Sequence, residues 1–270
     1  MKKSAVFNSK ISTGTYTEFI REIFQLVKFK IPSYVCFANV HMVVEAQRDP
    51  SFQRVLNGAN IAAPDGKPVS IVMKLINRQH QDRVCGMDMM PDLLREATLR
   101  GKSVFFYGDT EQMLNLVTAK AKRDFPNIKI AGSYSPPFRD LTDAESNEMV
   151  SMIRKAAPDL VFVSLGCPKQ EKWMAKYRDT LGACLLGVGQ AFRVYAGVEK
   201  RLPRWMRSLC LEWVFRLCLE PGRLWKRYLV TNTYFLLLTL SYFVSHGVQE
   251  FFAPFEKAKM PRRVLRESDE

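Results

Sequence analysis

Short apolar runs rich in β-branched and aromatic residues recur through the first two thirds of the chain: Tyr34 to Phe37, Asn60 to Ala63, Val104 to Tyr107, Leu160 to Leu165 and Cys184 to Val188. Longer stretches of helical periodicity separate them. Such alternation predicts βα units and an α/β fold, a mainly parallel sheet covered by helices on both faces. Several runs end in small or polar residues, as in PDG after the second, YGD after the third, SLGCP after the fourth and GVG after the fifth. Open α/β sheets bind ligands where strands end and helices begin, so these loops are the expected site. Thr142 and Glu145 have capping-box spacing before a helix carrying Met149, Ile153 and Ala157, and a second helix is expected from Lys169 to Leu181, just after Pro168. Pro136 and Pro137 make Ser133 to Phe138 a loop.

The pattern changes at Gly197. From Glu199 to Tyr228 the chain holds three of its four tryptophans and eight basic residues against three acidic ones. At helical spacing Trp205, Leu209, Trp213 and Leu217 share one side with Met206, Cys210 and Val214, while Arg204 and Arg207 project elsewhere. A basic amphipathic helix of this kind suits the headgroup layer of an anionic membrane, although a terminal helix packed on its own domain has the same pattern. Leu211 and Phe215 on the polar side call for cover by neighbouring helices or by a partner subunit, so a homo-oligomer is one reading. Tyr228 to Val248 then carries no Lys, Arg, Asp or Glu, yet Thr, Asn, Ser and His are scattered through it. Its length suffices to span a bilayer, but the polarity favours an interfacial or oligomer-facing helix. The chain thus divides into an α/β core, residues 1–196, and a basic, aromatic, membrane-associating appendage, residues 197–270.

Composition narrows the partners. In 270 residues, 47% are hydrophobic, enough for a sizeable core, and the net charge of +13 implies an anionic partner: nucleic acid, membrane or a phosphorylated substrate. The cationic excess is interleaved with Trp, Leu and Phe, and no nucleic-acid-binding signature appears, so no nucleic acid partner is expected. MKKSAVFNSKISTG lacks an apolar segment of signal-peptide length, which predicts a cytoplasmic location. The six cysteines form no CxxC pair and support neither disulfides nor zinc.

Asp65 in APDG is the first candidate for chemistry. It follows an apolar strand and precedes a glycine, a place at the mouth of the sheet from which a carboxylate can take a proton from an attacking hydroxyl. Taken alone, PDG is also a turn sequence. His41 lies at an expected helix start, where orienting a loop is the commoner role than catalysis. Lys169 and Glu171 flank the SLGCP loop. A phosphate contact suits Lys169, whereas nothing beyond location supports Glu171 as a second catalytic acid.

ANVHMVVEA at Ala38 to Ala46, APDGKPV at Ala63 to Val69, RVCGMDMM at Arg83 to Met90, LGCPKQEKWM at Leu165 to Met174, GVGQAF at Gly187 to Phe192 and LEWVFRL at Leu211 to Leu217 follow one another in a single order. Together they closely resemble the WecG/TagA/CpsF glycosyltransferases, family 26, from about Val35 to Leu229. That resemblance implies a Rossmann-like core with a C-terminal appendage that binds the membrane and completes the active site. It implies inverting transfer from a UDP-sugar to a polyprenyl-diphosphate-linked saccharide at the cytoplasmic membrane face, in cell-surface glycan or exopolysaccharide synthesis. Asp65 matches the proposed base, and Asn39, Arg83 and Gln170 match substrate-binding positions. Lys169 and Gly189 lie in the same motif loops, and Arg216, Arg223 and Arg227 are carried over from the family's appendage.

Departures from the family pattern concern donor identity. Phe37 stands where the teichoic-acid branch has threonine, Arg193 where many members have aspartate after GVGxxF, and Arg201-Leu202-Pro203 replaces RAP. Arg193 would place a positive charge near an acidic sugar or a nucleotide phosphate, or would face solvent. There is no DxD motif. Neither a metal nor another cofactor is expected, and arginine forks with helix N-termini would stabilise the leaving UDP. A membrane-associated nucleotide-sugar-binding scaffold without turnover and a nucleic-acid-binding α/β protein are the rival readings.

Overall fold

Two antiparallel strands, β1 (Lys3–Val6) and β2 (Ser9–Ser12), open the chain as a hairpin in the computed structural model, which describes residues 1–77, 80–201, 212–219 and 221–258. The main sheet follows with β3 (Ser33–Ala38), β4 (Ile61–Pro64), β5 (Ser103–Gly108), β6 (Lys129–Tyr134), β7 (Leu160–Ser164) and β8 (Cys184–Gly187). Its order is β4-β3-β8-β7-β5-β6, and every pairing is parallel. The helices before and between the strands are α1 (Tyr16–Lys28), α2 (Val40–Arg48), α3 (Pro50–Gly58), α4 (Lys67–Asn77), α5 (Gly86–Leu99), α6 (Glu111–Asp124), α7 (Asp143–Ala156) and α8 (Lys169–Leu181). The short α9 (Ala191–Ala196), α10 (Glu212–Leu219) and the 38-residue α11 (Pro221–Ala258) complete it.

Strand side chains point alternately to opposite faces, and here both faces are filled. Val35, Phe37, Phe106, Phe162 and Leu186 meet α1, α5, α6 and α9 on one side, whereas Tyr34, Cys36, Tyr107, Val161 and Leu185 meet α2, α3, α4, α7 and α8 on the other. Continuous burial explains why the five predicted runs read as unbroken apolar stretches. The expected capping box is present: Thr142 Oγ1 accepts from Glu145 N, and Thr142 N donates to the Glu145 carboxylate at 2.8 Å. Lys169 opens α8 as expected.

The sheet order reverses direction between β5, whose connection leads outward to β6, and β7, whose connection leads inward to β8. A crevice opens at the C-terminal ends of strands at such a reversal. Backbones are close there: Gly108 has φ of 105°, and a Cβ on it would lie 2.2 Å from the Ser164 carbonyl oxygen. Only glycine fits that position.

Of the expected amphipathic helix through Trp205, Leu209 and Leu217, residues 202–211 lie outside the described residues. Its described part is α10, where Trp213 meets Tyr228 edge to face at 6.1 Å. The charge-free segment from Tyr228 falls within α11. One side of α11 seats on the core through Phe235, whose ring lies 5.7 Å from Phe7 at the hairpin tip, while Arg48 of α2 stands over Tyr234. Its other sides leave Leu229, Val230, Leu236, Leu237, Leu240 and Val244 exposed. Tyr228–Ser245 is long and apolar enough to cross a membrane, and 11% of that window is buried. An apolar surface of this extent marks a contact with membrane or protein.

Candidate active site

Five of the six ordered motifs bring their loops to the C-terminal edge of the sheet or the helix starts behind it. Asp65 follows the last residue of β4, half-buried, and its backbone N–H donates to Ala38 O at the end of β3 at 3.0 Å. Val84 N donates to Pro64 O at 2.9 Å, which straps the segment before α5 alongside the β4 end. Cys85 is therefore near Asp65. Its thiol is pushed far up, first by burial and next by the Asp65 carboxylate.

Arg83 is held in this strap. Its guanidinium, 13% exposed, pairs with Asp88 in the first turn of α5. Asp88 also accepts from Arg201 Nη2 at 2.6 Å, and the Arg201 guanidinium stands 3.3 Å from Met87 Sδ. Two arginines far apart in sequence thus share one carboxylate beside Asp65. Each guanidinium gives Asp88 one nitrogen, and oriented guanidinium groups are suited to phosphate and carboxylate oxygens. Asp88 was within the quoted RVCGMDMM motif and Arg201 within RLP, but their pairing over 113 residues is a tertiary fact.

Asn39 sits at the N-terminus of α2, where its Oδ1 accepts from Met42 N at 3.0 Å. The side chain is thus a helix cap, and its amide nitrogen is the part left for a ligand. Phe37 is 4% exposed, and a Cβ on Gly86 would lie 3.2 Å from its ring. Gly86 makes room for the phenyl group, and this ring packs inward.

At the β5–β7 crevice, Lys169 is half-exposed at the start of α8, with Nζ 3.6 Å from Asp140. Gln170 N already donates to Gly166 O at 2.9 Å, so what the start of α8 offers an anion is the Lys169 charge and the positive end of the helix dipole. Gln170 is buried: its Nε2 donates to Gly187 O at 3.0 Å and to Glu171 Oε1 at 2.7 Å. Gly189 turns the chain after β8 with φ of 51° and donates its N–H to Val163 O at 3.0 Å.

Arg193 is exposed, and it also has a partner. It pairs with Asp109 at 3.3 Å, and the Asp109 side chain is only 8% exposed. Asp109 is itself fixed, with Thr110 N donating to its Oδ1 and Ser135 Oγ donating to its carbonyl. The Arg193 charge is thereby balanced by Asp109.

Arg216 lies on α10 and Arg223 and Arg227 on α11, but their side chains are outside what the structure describes. Among the described residues, no group of three or more His, Cys, Asp or Glu side chains could hold a metal ion. Among the described residues, Cys36, Cys85, Cys167 and Cys184 take part in no disulfide.

The glycosyl transferase WecG/TagA/CpsF family model matches residues 4–248, past the quoted motifs in both directions. N-acetylglucosaminyldiphosphoundecaprenol N-acetyl-beta-D-mannosaminyltransferase of Bacillus subtilis (strain 168) is 34% identical over 238 residues, 87% of this chain and 91% of that one. The protein of that name from Bacillus spizizenii is 36% identical over 203 residues, 75% and 77% of the two chains. Its counterpart in Staphylococcus aureus (strain NCTC 8325 / PS 47) is 27% identical over 195 residues, 72% and 73%. With the motif loops collected on one sheet edge and the match running through nearly the whole chain, this protein belongs to the WecG/TagA/CpsF family of glycosyltransferases.

Proposed function

We propose that this glycosyltransferase moves a sugar from a UDP-sugar to a polyprenyl-diphosphate-linked saccharide in cell-surface glycan or exopolysaccharide synthesis. It works as a peripheral protein on the cytoplasmic face of the membrane. The observation that carries the reading is Asp65 at the mouth of the sheet, strapped beside Arg83 and Asp88. Asp65 takes the proton of an acceptor hydroxyl as that oxygen attacks the anomeric carbon, and the bond to UDP breaks in the same displacement. Direct attack inverts the centre. The relatives' names describe transfer of an N-acetylmannosaminyl group to a lipid-linked N-acetylglucosamine, which favours a UDP-N-acetylhexosamine donor here.

The leaving diphosphate gains charge as the bond breaks, and preorganised donors stabilise that charge without reorganising. Lys169, the N-terminus of α8 and the Gly189 turn are the core's candidates, with Gln170 shaping the turn from below. Arg216, Arg223 and Arg227 come from the appendage, residues 197–270, which also meets the membrane while residues 1–196 form the catalytic core. Asn39 and Arg193 are the further candidates for substrate contact.

The test is a screen of UDP-sugars against short-chain polyprenyl-diphosphate saccharides, read by mass spectrometry in excess EDTA. One acceptor should gain a single sugar while UDP is released, with the chelator making no difference, because cationic side chains and N–H groups carry the leaving-group charge. UDP release only after Mg²⁺ or Mn²⁺ is restored would overturn the metal-free part. Failure of every UDP-sugar would overturn the donor class.

A further inference from the structure

Arg201 stands just past the end of α9, among the first residues of the appendage, and its side chain, 21% exposed, turns back to the start of α5. The chain reaches it in a defined conformation. Gly197 closes α9 with φ of 83°, and the N–H groups of Val198 and Glu199 donate to Arg193 O at 3.0 and 3.1 Å. Arg201 Nη2 then donates to Asp88 Oδ1 at 2.6 Å and lies 3.9 Å from Cys85 Sγ. The other oxygen, Asp88 Oδ2, accepts from Arg83 Nη2. One carboxylate is thus divided between an arginine of the strap and an arginine of the appendage. Freely exposed ion pairs hold no fixed geometry, but these three side chains are each partly enclosed. The buried Cys85 thiol feels the charges of Asp65, Arg83, Asp88 and Arg201 together, so all four groups surround one side chain at the mouth of the sheet.

We propose that Arg201 is a positioning residue for the transfer reaction: by holding Asp88 Oδ1 it keeps that carboxylate divided, and so keeps the Arg83 guanidinium turned to the substrate beside Asp65. The proposal rests on the reading of Asp65 and Arg83 given above. An arginine and a carboxylate left to themselves favour a pair that uses both oxygens, with two parallel N–H···O bonds. Asp88 is in the first turn of α5, where the positive end of the helix favours a carboxylate, so its place is set by more than its partners. Without Arg201, Asp88 turns both oxygens to Arg83, and the guanidinium is the group that moves. It is drawn onto α5 and its N–H groups are taken from the phosphate oxygens of the substrate. The appendage thereby acts on the site from its first residues, by a route separate from Arg216, Arg223 and Arg227.

The experiment measures kcat and both KM values for full-length wild type, Arg201→Gln, Arg201→Lys, Arg83→Gln and the double variant Arg83→Gln/Arg201→Gln. The substrates are a UDP-N-acetylhexosamine and a water-soluble polyprenyl-diphosphate saccharide. Arg201→Gln should raise one KM about tenfold, the same one that Arg83→Gln raises, with kcat within about threefold of wild type, the pattern of a lost binding contact. Arg201→Lys should recover most of that loss, because an ammonium group also donates to Oδ1. In the double variant Arg201→Gln should add less than about twofold to the effect of Arg83→Gln, since residues that act as one unit are not additive. A further loss of about tenfold there would overturn the proposal. So would wild-type kinetics in Arg201→Gln, or no recovery with lysine. If Arg201→Gln does not fold, Arg201→Met, which keeps an unbranched apolar stem, takes its place. Finally, ¹⁵N NMR of the arginine Nε–H groups reads the arrangement with no substrate present, and the Arg83 signal should shift in Arg201→Gln. An unshifted signal overturns the proposal, whereas a shifted signal without turnover of any UDP-sugar places the failure in the reading of the reaction.

Discussion

Asp65→Asn is expected to lower turnover by roughly 10² to 10⁴, the usual span for loss of a general base, while leaving UDP affinity and melting temperature near wild type. Asparagine keeps the size and planarity of the side chain and removes its ability to take a proton. The local backbone has hydrogen bonds of its own: Asp65 N is held by Ala38 O, and the neighbouring strap is held by Val84 N on Pro64 O. The loss should therefore fall on kcat and kcat/KM equally, the mark of an interaction made in the transition state. Single-turnover rates alongside a UDP titration separate the two. A folded variant with wild-type turnover would remove Asp65 from the chemistry.

Simultaneous replacement of Leu229, Leu236, Leu237 and Leu240 by glutamine is expected to release the protein from anionic vesicles, with the partition coefficient falling by about 10³ or more. These side chains are 61%, 58%, 58% and 54% exposed, so the core loses little when they change. Each leucine withdrawn from the acyl boundary forfeits on the order of 1 kcal/mol or more, and four together exceed what rim lysines and arginines restore. Thr231 and Phe235, which α11 buries, remain in place, so the melting temperature should hold. A water-soluble acceptor analogue should still be turned over, since it needs no membrane delivery. Undiminished vesicle binding would remove α11 as the membrane contact. If the same variant instead turns a dimer into a monomer and still binds vesicles, that face joins two copies of the chain.

What the sequence revealed follows from where each residue is buried. Central strands β3, β7 and β8 are enclosed on both faces and so stand out as apolar runs. Strand β6 is an edge strand, half-exposed and interrupted by Gly132, and it carries no such signal. The β1–β2 hairpin was equally silent, because SAV and SKIS are too short and too polar to mark strands. Asp65 was legible because an apolar strand followed by Asp-Gly fixes its place in an α/β sheet.

Residues whose roles depend on distant partners were harder to read. Arg193 offered two readings, a charge for a ligand or a solvated side chain, and its Asp109 partner lies 84 residues away. Gln170 read as a substrate contact, yet Gly187 and Glu171 occupy its amide nitrogen. Glu171 in KQEK has the look of a solvated helix start, and only the packing of α8 beneath β8 and β3 encloses it.

The proposed mechanism turns on a direct displacement by a hydroxyl that Asp65 deprotonates, and the anomeric configuration of the product reads this most directly. With a UDP-sugar of known configuration and a polyprenyl-diphosphate saccharide acceptor, NMR of the isolated product gives the one-bond carbon–proton coupling at the new linkage. Direct displacement predicts the configuration opposite to that of the donor. A product that retains the donor configuration would contradict it, because retention requires two displacements or front-face attack, and neither assigns Asp65 the role of base to the acceptor in a single inverting step.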